Sequence, residues 1–176
     1  MKTLSSIPTN FVIAAVAAIA LLATPNQTRA AEATPPKATK LAPSWELQSV
    51  EGKAVSSANY SNQVVVLVFW ATWCPPCRAE IPGFIDLQKK YAKQGLAIVS
   101  VSVDQASADT VKSFAKKNGI NYPVLVSDAK MEAAFGGISS LPTTFIINRA
   151  GNIVKQHVGF AEKSELEAEI KPLLQP

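Results

Sequence analysis

The chain has 176 residues, with 17 basic and 13 acidic side chains and a formal net charge of +4. A balance this even excludes the strongly cationic surface that nucleic acids or anionic membranes attract. Hydrophobic residues make up 48% of the chain, which is enough for one ordinary domain with a buried core, and there are only two cysteines.

Residues 1–30 have the layout of a signal peptide. Lys2 precedes a 13-residue apolar run at 11–23, and small residues then predict cleavage after Ala30, with Ala33 as the second choice. A membrane-spanning helix needs about 20 residues, so an uncleaved anchor through 11–23 is the alternative. Cleavage would leave 15 basic and 13 acidic side chains, a net charge of +2. We therefore expect an exported, periplasmic protein that is soluble after cleavage.

Residues 31–41 predict a disordered linker. Ala, Thr, Pro and Lys dominate the stretch AEATPPKATK, which offers almost nothing to bury. The folded domain is therefore expected at 42–176.

Strand and helix patterns alternate through that domain. An edge hairpin at 45–55 precedes the continuous apolar run 64–70, which is typical of a central strand buried on both faces. The remaining elements, in chain order, are a helix ending at Gln94-Gly95, a strand at 96–103, a helix capped by Ser107, a short strand at 123–126, a helix capped by Asp128, a hairpin of strands 143–148 and 153–158, and a last helix opened by a capping box at Ser164 and Glu167. This order predicts an α/β fold with a mixed central sheet, flanking helices and an N-terminal β-hairpin.

Both cysteines, Cys74 and Cys77, lie where the strand 64–70 passes into a helix. A disulfide ring that short stabilises little, so a redox pair, half of a metal site or a nucleophile with a neighbour are better interpretations than a structural staple. A helix N-terminus favours the thiolate, which makes Cys74 the candidate nucleophile and Cys77 the candidate resolving cysteine. Pro75 and Pro76 have no N–H, so donors to the Cys74 sulfur must come from Cys77 onward.

Three separated motifs resemble the TlpA/ResA-type exported thiol-disulfide oxidoreductases of the thioredoxin superfamily. They are WATWCPPCRAEIP at 70–82, the block 96–126 and LPTTFIINRAG at 141–151. The block 96–126 is similar in outline to the insertion of AhpC/TSA-type redoxins. The resemblance covers essentially the whole domain. It implies a thioredoxin-like fold with a central inserted βα element, a redox-active Cys74–Cys77 disulfide and a cis peptide bond before Pro142.

The resemblance also implies how the protein meets its partners. Clients would contact Trp73, Pro75, Pro76, Leu141 and Pro142, and no cofactor or metal is expected. The clients would be proteins with disulfides, such as apocytochrome c or a metal-centre assembly protein, and a membrane thiol carrier would supply electrons. We expect a monomer that does not bind nucleic acid.

One position departs from thioredoxin, which has a buried Asp where this chain has Val68. Glu80, at i+3 from Cys77, is the candidate for proton transfer, and a favourable first-turn acid is the equally weighted alternative. His157, the one histidine, lies in a strand pattern with no acidic partner visible in the sequence, and is interpreted as a strand residue.

Three other functions fit parts of the pattern. The same dithiol working in reverse would be a disulfide oxidase or isomerase, because the direction depends on reduction potential. A thiol peroxidase is the second enzyme alternative, although such enzymes lack a CxxC pair. A low-coordination copper carrier would use Cys74 and Cys77 as soft ligands, since the four ligands that zinc prefers are missing.

Overall fold

The computed structural model describes residues 40–175, so the predicted signal peptide at 1–30 and residues 31–39 of the predicted linker lie outside it. Within these residues the chain forms eight strands and four α-helices. The strands are β1 (Lys40–Leu41), β2 (Glu46–Gln48), β3 (Ala54–Ser56), β4 (Val64–Trp70), β5 (Leu96–Ser102), β6 (Val124–Val126), β7 (Thr143–Ile147) and β8 (Asn152–Val158). The helices are α1 (Pro75–Tyr91), α2 (Ala108–Lys117), α3 (Ala129–Ala134) and α4 (Lys163–Leu174).

Six strands form a mixed sheet in the order β1-β8-β7-β4-β5-β6, and β2 and β3 form the separate predicted hairpin. Strands β4, β5 and β6 run parallel to one another. On the other side of β4, strand β7 pairs with it in antiparallel orientation, and β8 pairs antiparallel with β7. The carboxyl ends of the three parallel strands therefore meet at one end of the sheet, where α/β proteins usually place their sites. The mixed sheet with its flanking helices and separate hairpin confirms the predicted thioredoxin-like fold class.

Every residue of β4 is buried, because both faces of the sheet are covered. Val66, Val68 and their neighbours on that face pack with side chains of α1, α2 and α4. Val65, Leu67 and Phe69 face the opposite way and pack with α3 and the hairpin. The alternation of side chains across a strand explains why an unbroken apolar run, rather than an alternating one, specifies this central position.

The ends of the helices follow local chemistry. The Ser107 hydroxyl accepts a hydrogen bond from Thr110 N–H at the start of α2, and the Asp128 carboxylate accepts one from Met131 N–H at the start of α3, as predicted. After α1, one 3₁₀ turn ends at Gly95, whose φ of +90° favours glycine. No helix among residues 40–175 is long and apolar enough to cross a membrane.

Two local predictions were wrong. The linker was expected to continue through residue 41, but Lys40 and Leu41 pair with Ile153 and Asn152 of β8, because the open edge of that strand offers backbone partners. The capping box at the last helix does not form. Glu162 is the N-cap residue, one step before the helix begins, and the Glu167 carboxylate instead accepts hydrogen bonds from Lys90 and Tyr91 on α1.

Candidate active site

The cysteine pair lies at the turn between β4 and α1, at the carboxyl end of the parallel strands. Cys74 is the N-cap residue of α1, and its sulfur is bonded to that of Cys77 with an S–S distance of 2.03 Å. The N–H of Cys77 donates to the Cys74 sulfur at 3.3 Å. This is the donor that remains once prolines occupy the two intervening positions, as the sequence predicted. The first turn of the helix thus places a hydrogen-bond donor and the positive end of its dipole at Cys74.

Cys74, but not Cys77, lines a groove of about 430 Å³. Both residues are buried in the disulfide form, with exposed fractions of 3% and 2%. The two cysteines therefore have nearly the same exposed area. They differ in position, because only Cys74 lines the groove. Trp73 is 65% exposed and lines the same groove. Cys74 of the disulfide and the exposed indole ring of Trp73 thus border the same groove.

The opposite wall of the groove comes from the segment before β7. Ser140 and Leu141 line it, and the peptide bond between Leu141 and Pro142 is cis. Pro142 itself is buried and does not line the groove, while its carbonyl accepts a hydrogen bond from Gly159 N–H at 2.8 Å. This contact brings the end of β8 to the site. The exposed side chains of Val158 and Phe160 flank that glycine.

Asp104 holds the loop that leads into Cys74, a role that the sequence analysis missed. Its carboxylate accepts hydrogen bonds from Thr72 N–H at 2.9 Å, from the Thr72 hydroxyl at 2.6 Å and from the Ser102 hydroxyl at 2.7 Å. These bonds join the end of β5 to the loop 71–73. The signal available in the sequence was an acid directly after a buried strand at the carboxyl end of the sheet.

Glu80 is buried on α1, one turn beyond Cys77, with an exposed fraction of 5%. One carboxylate oxygen, Oε1, accepts a hydrogen bond from Ala161 N–H at 2.7 Å, and the other, Oε2, is buried without a partner among the described residues. Burial raises the pKa of the Glu80 carboxyl from 4.5 to about 7, although the Ala161 hydrogen bond opposes the rise. A carboxyl that is half protonated near neutral pH, on the same helical face as Cys77, is equipped to exchange a proton.

The burial of Glu80 depends on close packing between α1 and the start of α4. Gly83, one turn further along α1, makes that approach feasible, because a Cβ there would lie 3.1 Å from the Cβ of Lys163. Val68 is buried in the core on the same side of the sheet, as expected for the apolar replacement of an acid. Glu80 is thus the one carboxylate that the packing of α1 and α4 buries near the cysteine pair, among residues 40–175.

Two other polar residues have structural partners. The interpretation of His157 as a strand residue is confirmed by its position in β8. Helix α4 packs beside β8 and brings Glu169 Oε2 to 2.7 Å from His157 Nε2, a partner that the sequence did not display. Arg78 lies with its guanidinium carbon 5.9 Å from the ring centre of Phe114, at cation–π distance. Its side chain thus has a partner on α2.

A thioredoxin-like sheet with a cysteine pair bonded across the first turn of a helix defines a class of protein, the thiol-disulfide oxidoreductases. The sequence profile of the AhpC/TSA family matches residues 38–156, and this chain belongs to that family. It is an enzyme of the thiol-disulfide oxidoreductase type, related to ResA.

Relatives of known sequence and proteins of known structure support this assignment. The chain is 32% identical over 134 residues to the thiol-disulfide oxidoreductase ResA of Bacillus thuringiensis (strain Al Hakam), which covers 76% of this chain and 77% of the relative. It is similar to a thiol:disulfide interchange protein of Chlorobium tepidum TLS, with a TM-score of 0.73 and 35% identity over 79% of this chain and 99% of that one. A secreted thiol-disulfide isomerase of Corynebacterium glutamicum has a TM-score of 0.70 and 25% identity over 75% and 84% of the two chains.

Proposed function

We propose that this protein is an exported reductase of disulfides in client proteins. The observation that carries the proposal is the asymmetry of the cysteine pair. Cys74 lines the open groove and receives the helix-start N–H, whereas Cys77 lies behind it and does not line the groove. A client disulfide can therefore reach one sulfur of the reduced protein, and the other sulfur is held ready within the same turn.

The reaction then proceeds by two exchanges. The Cys74 thiolate forms a bond with one client sulfur while the client S–S bond breaks, and the departing client thiolate takes up a proton. Cys77 loses its proton, attacks the Cys74 sulfur and releases the second client thiolate, so that the Cys74–Cys77 disulfide forms. Two electrons have passed to the client, and a thiol carrier returns two to the protein. Glu80 is the proposed acceptor of the Cys77 proton, because its carboxyl is buried on the same helix.

Contacts around the groove support the proposed client-binding residues. Trp73, Pro75, Pro76 and Leu141 line the groove directly, whereas Pro142 is buried and does not line it. The clients that fit are proteins with an accessible disulfide, such as apocytochrome c before haem attachment or a metal-centre assembly protein.

The direction of electron flow is tested by the reduction potential. Equilibration with glutathione or dithiothreitol, followed by thiol trapping, should give a value more negative than about −200 mV, in the range of thioredoxins and glutaredoxins. Such a value permits net reduction of exported disulfides. A value near about −120 mV, as in strongly oxidising proteins, would identify an oxidase instead. Catalytic consumption of hydrogen peroxide by the reduced protein, at a rate above that of disulfide reduction, would identify a peroxidase.

The copper alternative can be tested on the same preparation. Among the described residues 40–175, the one cluster of three side chains able to hold a metal is His157, Glu165 and Glu169, which includes neither cysteine. Titration of the reduced protein with Cu(I), using the Cys74→Ser/Cys77→Ser variant as control, would favour a carrier only if tight binding requires the two sulfurs.

Export is expected to leave a new N-terminus between Ala31 and Thr34. The reason is the short apolar run at 11–23 followed by small residues, and the similarity to a secreted isomerase supports it. Intact-mass measurement of protein recovered from the periplasm or medium checks this expectation. A chain that retains Met1 or Lys2 in the membrane fraction would show instead that residues 11–23 act as an anchor.

A further inference from the structure

The groove beside Cys74 has one charged residue among the described residues that line it. Apolar residues form most of the wall, Ser139 and Ser140 are uncharged polar residues, and Glu132 of α3 is the one acid. A client segment that enters this groove to reach the cysteine must therefore pass an acid.

Glu132 has no ion-pair partner within residues 40–175. The five pairs found there involve other acids: Asp86, Glu165, Glu167 and Glu169. Among these described residues its side chain also accepts no hydrogen bond, in contrast to the Asp104 carboxylate, which accepts three from Thr72 and Ser102. Glu132 is half-buried as a residue, and most of the groove that it lines is apolar. A cation supplied by the client would thus meet an acid that has no competing internal partner.

Trp73 adds a second feature that attracts cations. Its indole is 65% exposed and lines the same groove as Glu132. The face of an indole ring attracts the guanidinium of Arg or the ammonium of Lys. The long aliphatic stems of these side chains also pack well along apolar walls such as Ile138 and Leu141, while the charged end reaches a polar partner. Apolar walls, an exposed indole and an unpaired carboxylate together match the parts of a basic side chain.

We propose that the groove beside Cys74 selects client segments that carry Lys or Arg close to the reacting cysteine, with Glu132 and Trp73 as the specificity-determining residues. The inference rests on the proposed reductase function and names the class of client segment on which it acts. Glu132 also lies in the first turn of α3, where the negative charge of an acid interacts favourably with the helix dipole. That local role does not depend on the charge of the client, so client charge is the variable to test.

The experiment uses three short peptides, each closed by one internal disulfide and identical except for a Lys, Gln or Glu beside the first cysteine. The reduced protein is mixed with excess peptide in a stopped-flow instrument, and its oxidation is followed by tryptophan fluorescence. For the wild type at low ionic strength, the Lys peptide should react about tenfold faster than the Glu peptide. The ratio should shrink at high salt, because exposed charges are screened.

Two substitutions at Glu132 should change the ratio of the Lys-peptide rate to the Glu-peptide rate by different amounts. Glu132→Gln should bring the Lys-to-Glu ratio close to that of an uncharged groove, and Glu132→Lys should reverse the preference. The matched control is Glu51→Gln, which removes an exposed acid at the turn between β2 and β3 that does not line the groove. The control should keep the wild-type ratio. Circular dichroism and an unchanged melting temperature would show that α3 remains folded in the Glu132 variants.

Each outcome separates the inference from the proposed function. Equal rates for the three peptides, or a ratio that survives in Glu132→Gln, overturn the basic-client inference while turnover itself supports the reductase. Failure of the reduced protein to react with any of the peptides or with a protein disulfide contradicts the proposed function. A ratio that falls equally in Glu51→Gln shows that overall charge, rather than the groove, governs the preference, and also overturns the inference.

Discussion

Replacing Cys77 by serine should abolish turnover and leave Cys74 covalently joined to its client. The physical reason is that Cys74 lines the groove and can still attack, while the serine hydroxyl cannot displace the client from the mixed disulfide. The complex should be visible on a non-reducing gel and should disappear with dithiothreitol, and mass spectrometry of the linked peptides would identify the clients. The structure of the turn predicts that the client sulfur is attached at residue 74.

The matched control is Cys74→Ser, which should trap no client, because Cys77 does not line the groove. Alkylation of the reduced wild type should likewise label Cys74 well before Cys77. If clients accumulate on Cys77 in the Cys74→Ser variant, and not on Cys74 in the other variant, the assigned roles are reversed. In that case the groove beside Trp73 would not be the route by which clients approach.

Replacing Glu80 by glutamine should slow the resolving step by on the order of 10²-fold, the lower range for general-base catalysis. Glutamine keeps the size of the side chain, and its carbonyl oxygen can still accept the Ala161 hydrogen bond, but it cannot accept the proton that Cys77 loses. The first attack by Cys74 should change less. Stopped-flow mixing with a disulfide protein separates the two steps, since the mixed disulfide should accumulate in the variant.

The same substitution should change how stability depends on pH. Because burial raises the pKa of Glu80 to about 7 in the folded protein, against 4.5 when exposed, the folded state binds the proton more tightly than the unfolded state does. Its contribution to stability is therefore fully present below pH 4.5, falls as the pH rises, and is lost above about pH 7. Relative to wild type, Glu80→Gln should gain up to about 3 kcal/mol between pH 4.5 and pH 8.

Urea unfolding of the oxidised protein at the two pH values measures this gain, with Glu51→Gln as the exposed control. The alternative interpretation of Glu80 as a first-turn acid is wrong, because α1 has no acid in its first turn. A resolving step of wild-type speed, together with an unchanged stability profile, would therefore contradict both the proton transfer and the stability cost assigned to Glu80. A changed profile with unchanged kinetics would show that Glu80 is buried but does not accept the proton from Cys77. The two readouts thus separate burial from catalysis.

Local patterns in the sequence were sufficient for the parts of the site that lie within one turn of the chain. The apolar run 64–70 indicated a strand buried on both faces, and the prolines after Cys74 left Cys77 N–H as the donor to its sulfur. Side-chain caps at Ser107 and Asp128 were also predicted, because a cap and its N–H are three residues apart. These interactions depend on neighbours in sequence, which the sequence displays directly.

Local spacing was insufficient where another segment of the chain supplied a residue's partner. Glu167 had the spacing of a capping box, yet α1 offers it Lys90 and Tyr91 at a separation of more than 70 residues. His157 lies in a strand, as predicted, and α4 places beside it Glu169, which the strand pattern did not display. Spacing rules describe what a helix or strand can do alone, and the packing of α4 on its neighbours determined which partner was taken.

The sequence by itself limited the cysteine pair to a redox couple, half of a metal site or a nucleophile with a neighbour, and the resemblance of three motifs to thiol-disulfide oxidoreductases favoured the redox couple. It also named Glu80 as a candidate from its i+3 spacing. Only the tertiary structure decided that the Glu80 carboxyl is buried, held by Ala161 N–H from a segment 81 residues away. It alone placed Asp104 under the loop before Cys74 and Glu132 in the groove. The physical reason is that the burial and the charge environment of a side chain depend on which distant segments pack together. Such contacts do not produce a periodic pattern of residues in the sequence.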